Sequence, residues 1–168
     1  AQAALVESIE LEPTNPEAYP PAVEAVQLAD LVVIGPGSLF TSILPNLLVP
    51  GLAQALAETE ALKVYVSNVF TQVGETDGYT VEDHVKLLQS YTSDGIADYV
   101  VANDNPPVAG PEFMGEPVKS DGSALAHVIL RQTDLVDSKH VVRHDSYKLA
   151  EAITEIYQKA GGRTKPAA

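Results

Sequence analysis

The chain has 168 residues, of which 45% are hydrophobic, and this length and composition predict one domain with a core of its own. Ten basic residues stand against 23 acidic ones, and the formal net charge of −13 disfavours binding to nucleic acid or to an anionic membrane. The absence of Cys excludes disulfides and thiolate metal sites, which suits a cytoplasmic protein. No apolar run reaches the ~20 residues of a membrane-spanning helix, and we expect no signal peptide.

Apolar residues at two different spacings predict an alternation of strands and helices along the chain. The run LVVI at 31–34 is apolar on both faces, as in a strand buried between two helix layers. TVEDHVKLLQSYT at 80–92 has helical spacing, with Thr80 as its N-terminal cap. In chain order, the predicted elements are strand 6–12, helix 21–29, strand 31–34, helix 43–60 with breaks at Pro45 and Pro50, strand 63–69, helix 80–92, strand 98–104, an edge strand within 127–137 and a helix from Ser146 to Lys159.

The connecting segments complete the predicted organisation. Residues 105–123 are rich in Pro, Gly and charge, which is typical of a loop. Residues 1–160 are expected to form the folded part, and 161–168 a flexible tail. Strands that alternate with helices through short loops predict an α/β domain with a mostly parallel sheet.

Polar residues follow three of the predicted strands. In an open parallel sheet, ligands bind beyond the carboxyl ends of the strands, so these residues are the first candidates for a site. Asn68 lies at the end of the second of these strands and Asn103 at the end of the third, although an Asn here can equally bond its own backbone in a turn. The candidates after strand 31–34 are Gly35, Pro36, Gly37, Ser38, Thr41 and Ser42.

The segment Gly-Pro-Gly-Ser has physical features of a ligand loop. Gly35 and Gly37 lack a Cβ, so the backbone can turn sharply and a ligand can come close. Backbone N–H groups from Ser38 to Ser42 would point out of a helix start, where an anion is favoured. The same four residues also fit a tight turn capped by Ser38 with no further role, because the motif is short and common.

Arg143 is a candidate cation for an anionic ligand, since a guanidinium can bind a phosphate through two parallel hydrogen bonds. The alternative is that this segment only begins the last helix, with Asp145 or Ser146 as its cap. No nucleophile elbow, HExxH, P-loop or GxGxxG motif occurs, so the residues specify no reaction, and neither a cofactor nor a metal is predicted. Glu75, Asp83 and His84 are interpreted as solvated side chains.

Three longer blocks resemble a known family. They are ADLVVIGPGSLFTSILPNLLVPGL at 29–52, KVYVSNVFTQVGETDGYTVEDHV at 63–85 and VVRHDSYKLAEAI at 141–153. They are similar to the bacterial gluconeogenesis-factor (YvcK-like) family, within the superfamily of the 2-phospho-L-lactate transferase CofD. The resemblance implies a Rossmann-like α/β fold, a cytoplasmic protein and binding of a UDP-sugar such as UDP-N-acetylglucosamine. It also implies a regulatory role in carbon metabolism, cell-wall synthesis and cell shape.

The resemblance also assigns residues. Its ligand loop matches Gly35, Pro36, Gly37, Ser38 and Thr41, its second segment matches Asn68, Thr71 and Gln72, and the Arg of its R-H-D motif matches Arg143. Ser146 stands where relatives can carry a phosphorylatable Thr, which makes it a candidate phosphorylation site. The segment 104–125 matches poorly, so the resemblance assigns no ligand role there.

The chain departs from the family in length. Relatives are about twice as long and carry a GGGTG-type loop and a DDGGSSGR-type segment, and neither occurs here. The chain therefore resembles the C-terminal half, with the first strands of a three-layer sheet missing. We expect the missing half, or a second copy in a homo-oligomer, to cover the apolar strands, such as LVVI at 31–34, that the missing strands would leave exposed. The alternatives to a regulatory binding protein are a transferase of the 2-phospho-L-lactate type and a half-domain that only completes a partner.

Overall fold

The computed structural model describes residues 6–110 and 113–162. Its centre is a sheet of four parallel strands that lie in chain order. The strands are β1 (Leu31–Ile34), β2 (Leu62–Val66), β3 (Tyr99–Asn103) and β4 (Ile129–Thr133). The helices are α1 (Pro20–Leu28), a π-helical turn (Leu39–Ile43), α2 (Leu44–Leu47), α3 (Pro50–Glu58), α4 (Val81–Tyr91) and α5 (Ser146–Lys159).

Helices cover both faces of this sheet. Side chains of α2, α3 and α4 pack with Tyr65 and Val100 on one face. On the other face, Ala152 and Ile156 of α5 pack with Val64. The predicted α/β Rossmann-like fold with three layers is confirmed. Helices α4 and α5 begin where the sequence predicts, α4 with a reciprocal cap between Thr80 and Asp83 and α5 with Asp145 as its cap.

Strand β1 is less covered than its sequence predicts. Its four residues are apolar, but only Ile34 is buried, and Val33 is 43% exposed. The reason is position: β1 pairs only with β2 and forms one edge of the described sheet, whereas α5 packs mainly against β3. The interpretation of 31–34 as a strand covered on both faces is therefore wrong for this chain. The expected edge strand at the other side is β4.

The predicted strand 6–12 does not form. Val6 and Ile9 pack instead against the core on the helix side, and the Ile9 N–H donates a hydrogen bond to the Tyr91 hydroxyl at the end of α4 (3.3 Å). Alternating polarity gives the segment a buried side, but a strand also needs a neighbouring edge for its backbone groups. Here the segment runs beside the helices, where no such edge exists.

The predicted helix 43–60 begins earlier and has one break instead of two. The chain winds from Leu39 onward, and Pro45 falls in the first turn of α2, where its missing N–H disturbs nothing. The second expected break, at Pro50, is present. Among the described residues no single helix is long and apolar enough to cross a membrane, and one pair, Leu39–Leu47 with Pro50–Glu58, meets that length and composition only together, across a 76° bend.

The C-terminal residues are described as far as Gly162, whose N–H donates to the Tyr157 carbonyl oxygen (3.0 Å) at the end of α5. Most of the predicted flexible tail, 163–168, lies outside the described residues.

Candidate functional site

An open cleft of about 710 Å³ lies at the carboxyl-terminal edge of the sheet. Its walls come from the segments that follow β1, β2 and β3 and from the start of α5. Its lining residues are Pro36, Gly37, Ser38, Asn68, Val69, Phe70, Thr71, Gln72, Phe113, Val142, Arg143, His144, Ser146 and Leu149. The fold thus brings together most of the site residues predicted from the sequence. Gly35 and Thr41 lie in the same first loop but outside the lining, and Asn103 lies elsewhere.

Residues 35–38, the glycine loop, form one wall. Gly35 has φ +83°, and a Cβ there would lie 3.0 Å from the Val66 carbonyl oxygen, so both backbone conformation and close approach require glycine. The Asn68 side chain holds the loop from the next strand. Its Oδ1 accepts from the Gly37 N–H (3.2 Å), and its Nδ2 donates to the Gly37 carbonyl oxygen (2.9 Å). Asn68 therefore fixes the loop beside β2.

Ser38 closes the glycine loop and begins the helix. Its Oγ accepts hydrogen bonds from the backbone N–H (3.1 Å) and the hydroxyl (2.6 Å) of Thr41. The same Oγ donates to the Glu75 carboxylate (2.5 Å). The hydroxyls of Ser38 and Thr41 are thus engaged within the protein, and a carboxylate stands beside them. A phosphate is electrostatically disfavoured at this end of the cleft.

Residues 113–118, the aromatic loop, form a second wall. Thr71 holds this loop: its N–H donates to the Glu116 carbonyl oxygen (2.8 Å), and its Oγ1 accepts from the Glu116 N–H (2.9 Å). The loop places Phe113 against Phe70, with ring centroids 4.9 Å apart in an edge-to-face arrangement. Phe113 did not figure among the predicted site residues, because its loop has no periodicity and its ring packs on Phe70, which lies more than forty positions away in the chain.

Asn103 has a structural position. It is buried at the end of β3, where its Nδ2 donates to the Asn105 carbonyl oxygen (2.6 Å) and its Oδ1 accepts from the Leu135 N–H (3.0 Å). Both ends of the amide are therefore used between β3 and the segment after β4. The structure does not bring Asn103 to the cleft. Gln72 does line it, and its Oε1 is buried with no hydrogen-bond partner among the described residues.

Arg143 lies on a rigid turn that leads into α5. Its N–H donates to the His140 carbonyl oxygen (2.8 Å), and its own carbonyl oxygen accepts from the Asp137 N–H (3.0 Å). The Asp145 carboxylate then accepts from two N–H groups of the first turn of α5. The Arg143 side chain is exposed and, within the part of the chain that the structure describes, forms no ion pair. Among the described residues, it is also the one charged side chain that lines the cleft.

His144 lines the cleft next to Arg143. Its Nε2 lies 3.1 Å from the Ser67 carbonyl oxygen at the end of β2. Burial lowers the pKa of His144 below its ordinary value, because the charged imidazolium loses its hydration there, and the hydrogen bond to Ser67 only partly opposes this. The ring is therefore neutral at pH 7, with Nε2 as the donor. This contact joins residues 77 positions apart in the chain, so no local pattern predicts it.

The acidic residues near the cleft do not gather. The Glu75 carboxylate accepts from Ser38, the Asp83 carboxylate caps α4, and the Asp104 N–H donates to the Thr133 carbonyl oxygen at the sheet edge. Across residues 6–110 and 113–162, no three His, Asp or Glu side chains lie close enough together to hold a metal ion.

A second cavity, of about 340 Å³, lies at the opposite edge of the sheet. Its lining includes Asp30, Glu60 and Asp98 together with Lys63. In parallel α/β sheets ligands bind at the carboxyl ends of the strands, and this cavity is at the amino ends. We therefore take the cleft beside Arg143 as the candidate functional site.

A parallel sheet with a glycine turn after its first strand, and with a ligand-sized cleft at its carboxyl edge, defines a Rossmann-like α/β domain. Comparison with known proteins gives the family: the one described as 2-phospho-L-lactate transferase CofD matches residues 1–136. The chain belongs to this family.

Individual relatives are gluconeogenesis factors. A putative gluconeogenesis factor of Aquifex aeolicus is 42% identical over 161 residues, which cover 91% of this chain and 49% of the relative. The gluconeogenesis factor of Bacillus subtilis is 35% identical and covers 92% of this chain and 51% of its own. A crystal structure of a UPF0052 family member from Bacillus halodurans is 36% identical, with a TM-score of 0.80 over 89% of this chain and 51% of that one. The chain spans about half the length of the relatives it matches.

Proposed function

We propose that this chain is part of a regulatory protein whose cleft binds a nucleotide sugar, and specifically a UDP-sugar such as UDP-N-acetylglucosamine. The observation that carries the proposal is the charge of the cleft. In a chain of net charge −13, the one charged residue in the described lining is Arg143, a cation without an ion pair among the described residues. An exposed guanidinium is suited to a diphosphate, which it can bind through two parallel hydrogen bonds.

The rest of the lining fits the uncharged parts of such a ligand. Gln72 offers a neutral polar group of the kind that bonds to sugar and ribose hydroxyls, and the Asn68 amide, which uses one acceptor site and one N–H on Gly37, keeps a second of each. The Glu75 carboxylate beside Ser38 repels phosphate, so the diphosphate belongs at the Arg143 end of the cleft. A volume of about 710 Å³ is within the ~300–1,000 Å³ range of small-molecule sites.

The biological role in this proposal comes from the relatives. Similar chains are called gluconeogenesis factors, which supports a link to carbon metabolism. Regulation of cell-wall synthesis and cell shape, and a cytoplasmic location, follow from the same family resemblance and belong to the proposal.

We also propose that the exposed edge of β1 is covered by further protein, either the half of the family's length that this chain does not match or a second copy. Strand β1 is apolar throughout, yet its Val33 is 43% exposed. The backbone groups on its outer edge have no partner strand in the described sheet. Sedimentation equilibrium provides the test. The 168-residue chain should self-associate, and joining it to the unmatched half of the Aquifex aeolicus relative should yield a monomer. An isolated chain that stays monomeric contradicts the proposal, and a joined protein that still self-associates assigns the cover to a second copy.

Ser146 is proposed as a regulatory phosphorylation site. It is exposed, lies in the first turn of α5 and lines the same cleft as Arg143. A phosphate there would stand at a helix N-terminus beside a free guanidinium, so it would compete with the ligand for the same cation. Phosphopeptide mass spectrometry of the native protein should detect it, and Ser146→Asp should weaken ligand binding more than Ser146→Ala. Equal binding by the two variants would remove this role.

Calorimetric titration tests the central proposal. UDP-N-acetylglucosamine should bind the chain, alone or joined to the unmatched half of the Aquifex aeolicus relative. Arg143→Ala should lose a charge-assisted contact of about 1.5–3 kcal/mol, which is roughly a ten- to hundredfold loss of affinity. Lys139→Ala is the matched control, because Lys139 is an exposed cation of the same turn that does not line the cleft. If no UDP-sugar binds either form, or if Arg143→Ala binds as well as the control, the proposal is wrong.

A further inference from the structure

The aromatic loop is held more firmly than its sequence predicts. Beyond the two hydrogen bonds between Thr71 and Glu116, the Val118 N–H donates to the Val69 carbonyl oxygen (2.9 Å), and Phe70 forms an isolated antiparallel bridge with Pro117. The loop that follows β3 is thus paired backbone to backbone with the segment that leaves β2. Its position relative to the cleft is fixed by the same residues that line the cleft.

Gly115 makes this close approach possible. A Cβ at this position would lie 2.4 Å from the Thr71 carbonyl oxygen and 2.8 Å from the Phe113 ring. Any other residue would push the loop away from Thr71 or displace the ring. The contact therefore depends on Gly115 for space and on the buried Thr71 side chain for its hydrogen bond.

The consequence is an aromatic ring held at the mouth of the cleft. Phe113 packs edge-to-face on the buried ring of Phe70 at an interplanar angle of 78°, yet it remains 36% exposed and lines the cleft. The exposed part of this phenyl ring offers an apolar aromatic surface to whatever occupies the cleft. Nucleobases stack on such rings, and the interaction does not depend on hydrogen bonds to the base.

We propose that Phe113 contacts the base of the bound nucleotide and that Thr71 is a positioning residue that acts through Phe113. This inference rests on the proposed nucleotide-sugar function and adds the part of the ligand that the aromatic loop recognises. Arg143 then binds the phosphates, and the neutral side chains beside Asn68 and Gln72 face the sugar. In this account Thr71 does not contact the ligand, since its N–H and hydroxyl are used by the loop.

Titration of the full chain with UDP and with UDP-N-acetylglucosamine tests the assignment. Phe113→Ala should weaken both ligands by the same factor, about ten- to a hundredfold, because the base is common to them. Phe113→Tyr should retain affinity, while Phe113→Leu, which keeps apolar bulk without the flat ring, should lose most of it. Thr71→Val should weaken the binding of both ligands, whereas Thr71→Ser, which keeps the hydroxyl, should bind both with the affinity of the unaltered protein.

Met114→Ala is the control, because Met114 is an exposed neighbour of Phe113 that does not line the cleft. If the unaltered protein binds neither ligand, alone or joined to the unmatched half of the Aquifex aeolicus relative, the proposed function itself fails. If it binds and Phe113→Ala or Phe113→Leu binds equally well, the function stands and the aromatic contact is wrong. If the loss appears only with UDP-N-acetylglucosamine, the ring contacts the sugar and the assignment to the base is overturned.

Discussion

The two loops that form the walls of the cleft are built on opposite principles. The glycine loop is short, follows its strand directly and takes its shape from local features, namely the φ of Gly35 and the clamp from Asn68. The aromatic loop belongs to a long connection whose described residues form no helix or strand of the sheet, and it is positioned by backbone pairing with the segment from Val69 to Thr71. A loop of the first kind leaves a motif in the sequence, and a loop of the second kind does not.

This difference has an energetic side. The glycine loop sits on the core, where Leu39 and Phe40 are buried immediately after Ser38, so a disturbance there is transmitted to the sheet. The aromatic loop carries the exposed residues Phe113, Met114 and Glu116, and it can move away into solvent. Damage to the first loop should therefore reduce the stability of the whole fold, while damage to the second should mainly reduce binding.

The largest expected effect is that of Gly35→Ala. A side chain at φ +83° costs about 1–2 kcal/mol, and the approach to the Val66 carbonyl oxygen adds to it, so we expect a loss of about 2–3 kcal/mol in unfolding free energy. Gly74→Ala is the matched control, because Gly74 has φ +84° with nothing within 4 Å, and it should lose only about 1–2 kcal/mol. Urea denaturation of both variants measures the difference. Equal losses would show that the close approach has no energetic weight.

Asn68→Ala should come next. It removes both hydrogen bonds that hold Gly37, which at half-buried positions is a loss of about 1–3 kcal/mol in unfolding free energy. Asn68→Asp keeps the acceptor for the Gly37 N–H but sets a carboxylate oxygen against the Gly37 carbonyl oxygen, so its loss should be at least as large. Denaturation at pH 7 compares the two, and an Asp variant as stable as the unaltered protein would argue against the two-sided clamp.

Gly115→Ala should have a smaller effect on stability. The loop can shift outward to relieve the contact with the Thr71 carbonyl oxygen, so we expect about 1 kcal/mol or less, with the larger change in nucleotide affinity. Gly95→Ala, at a position with nothing within 4 Å, is the control. If Gly115→Ala destabilised the fold more than Gly35→Ala, the contrast between the two loops would be reversed.

The smallest effect concerns pH. Burial lowers the pKa of His144 and of His84 below the ordinary value of 6.5, so the unfolded chain binds these protons more readily than the folded one. The contribution of the two neutral histidines to the unfolding free energy should be fully present above about pH 6.5. It should decrease as the pH falls below that value, by at most about 1.4 kcal/mol per pH unit for each histidine. His144→Gln should flatten this dependence between pH 6.5 and 5. An unchanged slope would show that His144 does not contribute to it.

Much of the fold was predictable because its signals are local. The start of α4 at Thr80 and that of α5 at Asp145 are set by side chains that bond to their own first turns. The strands of the sheet appear in the sequence as short apolar runs. Two predictions were wrong because the sequence does not show which elements lie next to each other. Residues 6–12 alternate in polarity but have no adjacent strand, and LVVI at 31–34 is apolar but lies at an edge of the described sheet.

The candidate site divides in the same way. Gly37, Asn68 and Arg143 were predicted from turn chemistry and family resemblance, and the fold brings them to one cleft. Asn103 fits the same pattern on paper, but its amide is used inside the protein. Phe113 had no local signal, because its position depends on pairing across more than forty residues.

Chemical-shift mapping tests the central claim most directly, because it reports on the two edges of the sheet at once. In a titration of the ¹⁵N-labelled chain with UDP-N-acetylglucosamine, the largest amide shifts should occur at Gly37, Thr71, Phe113 and Arg143, around the carboxyl-edge cleft. The amides of Asp30, Lys63 and Asp98, around the opposite cavity, should not move. Shifts confined to those three residues, with none beside Arg143, would contradict the account.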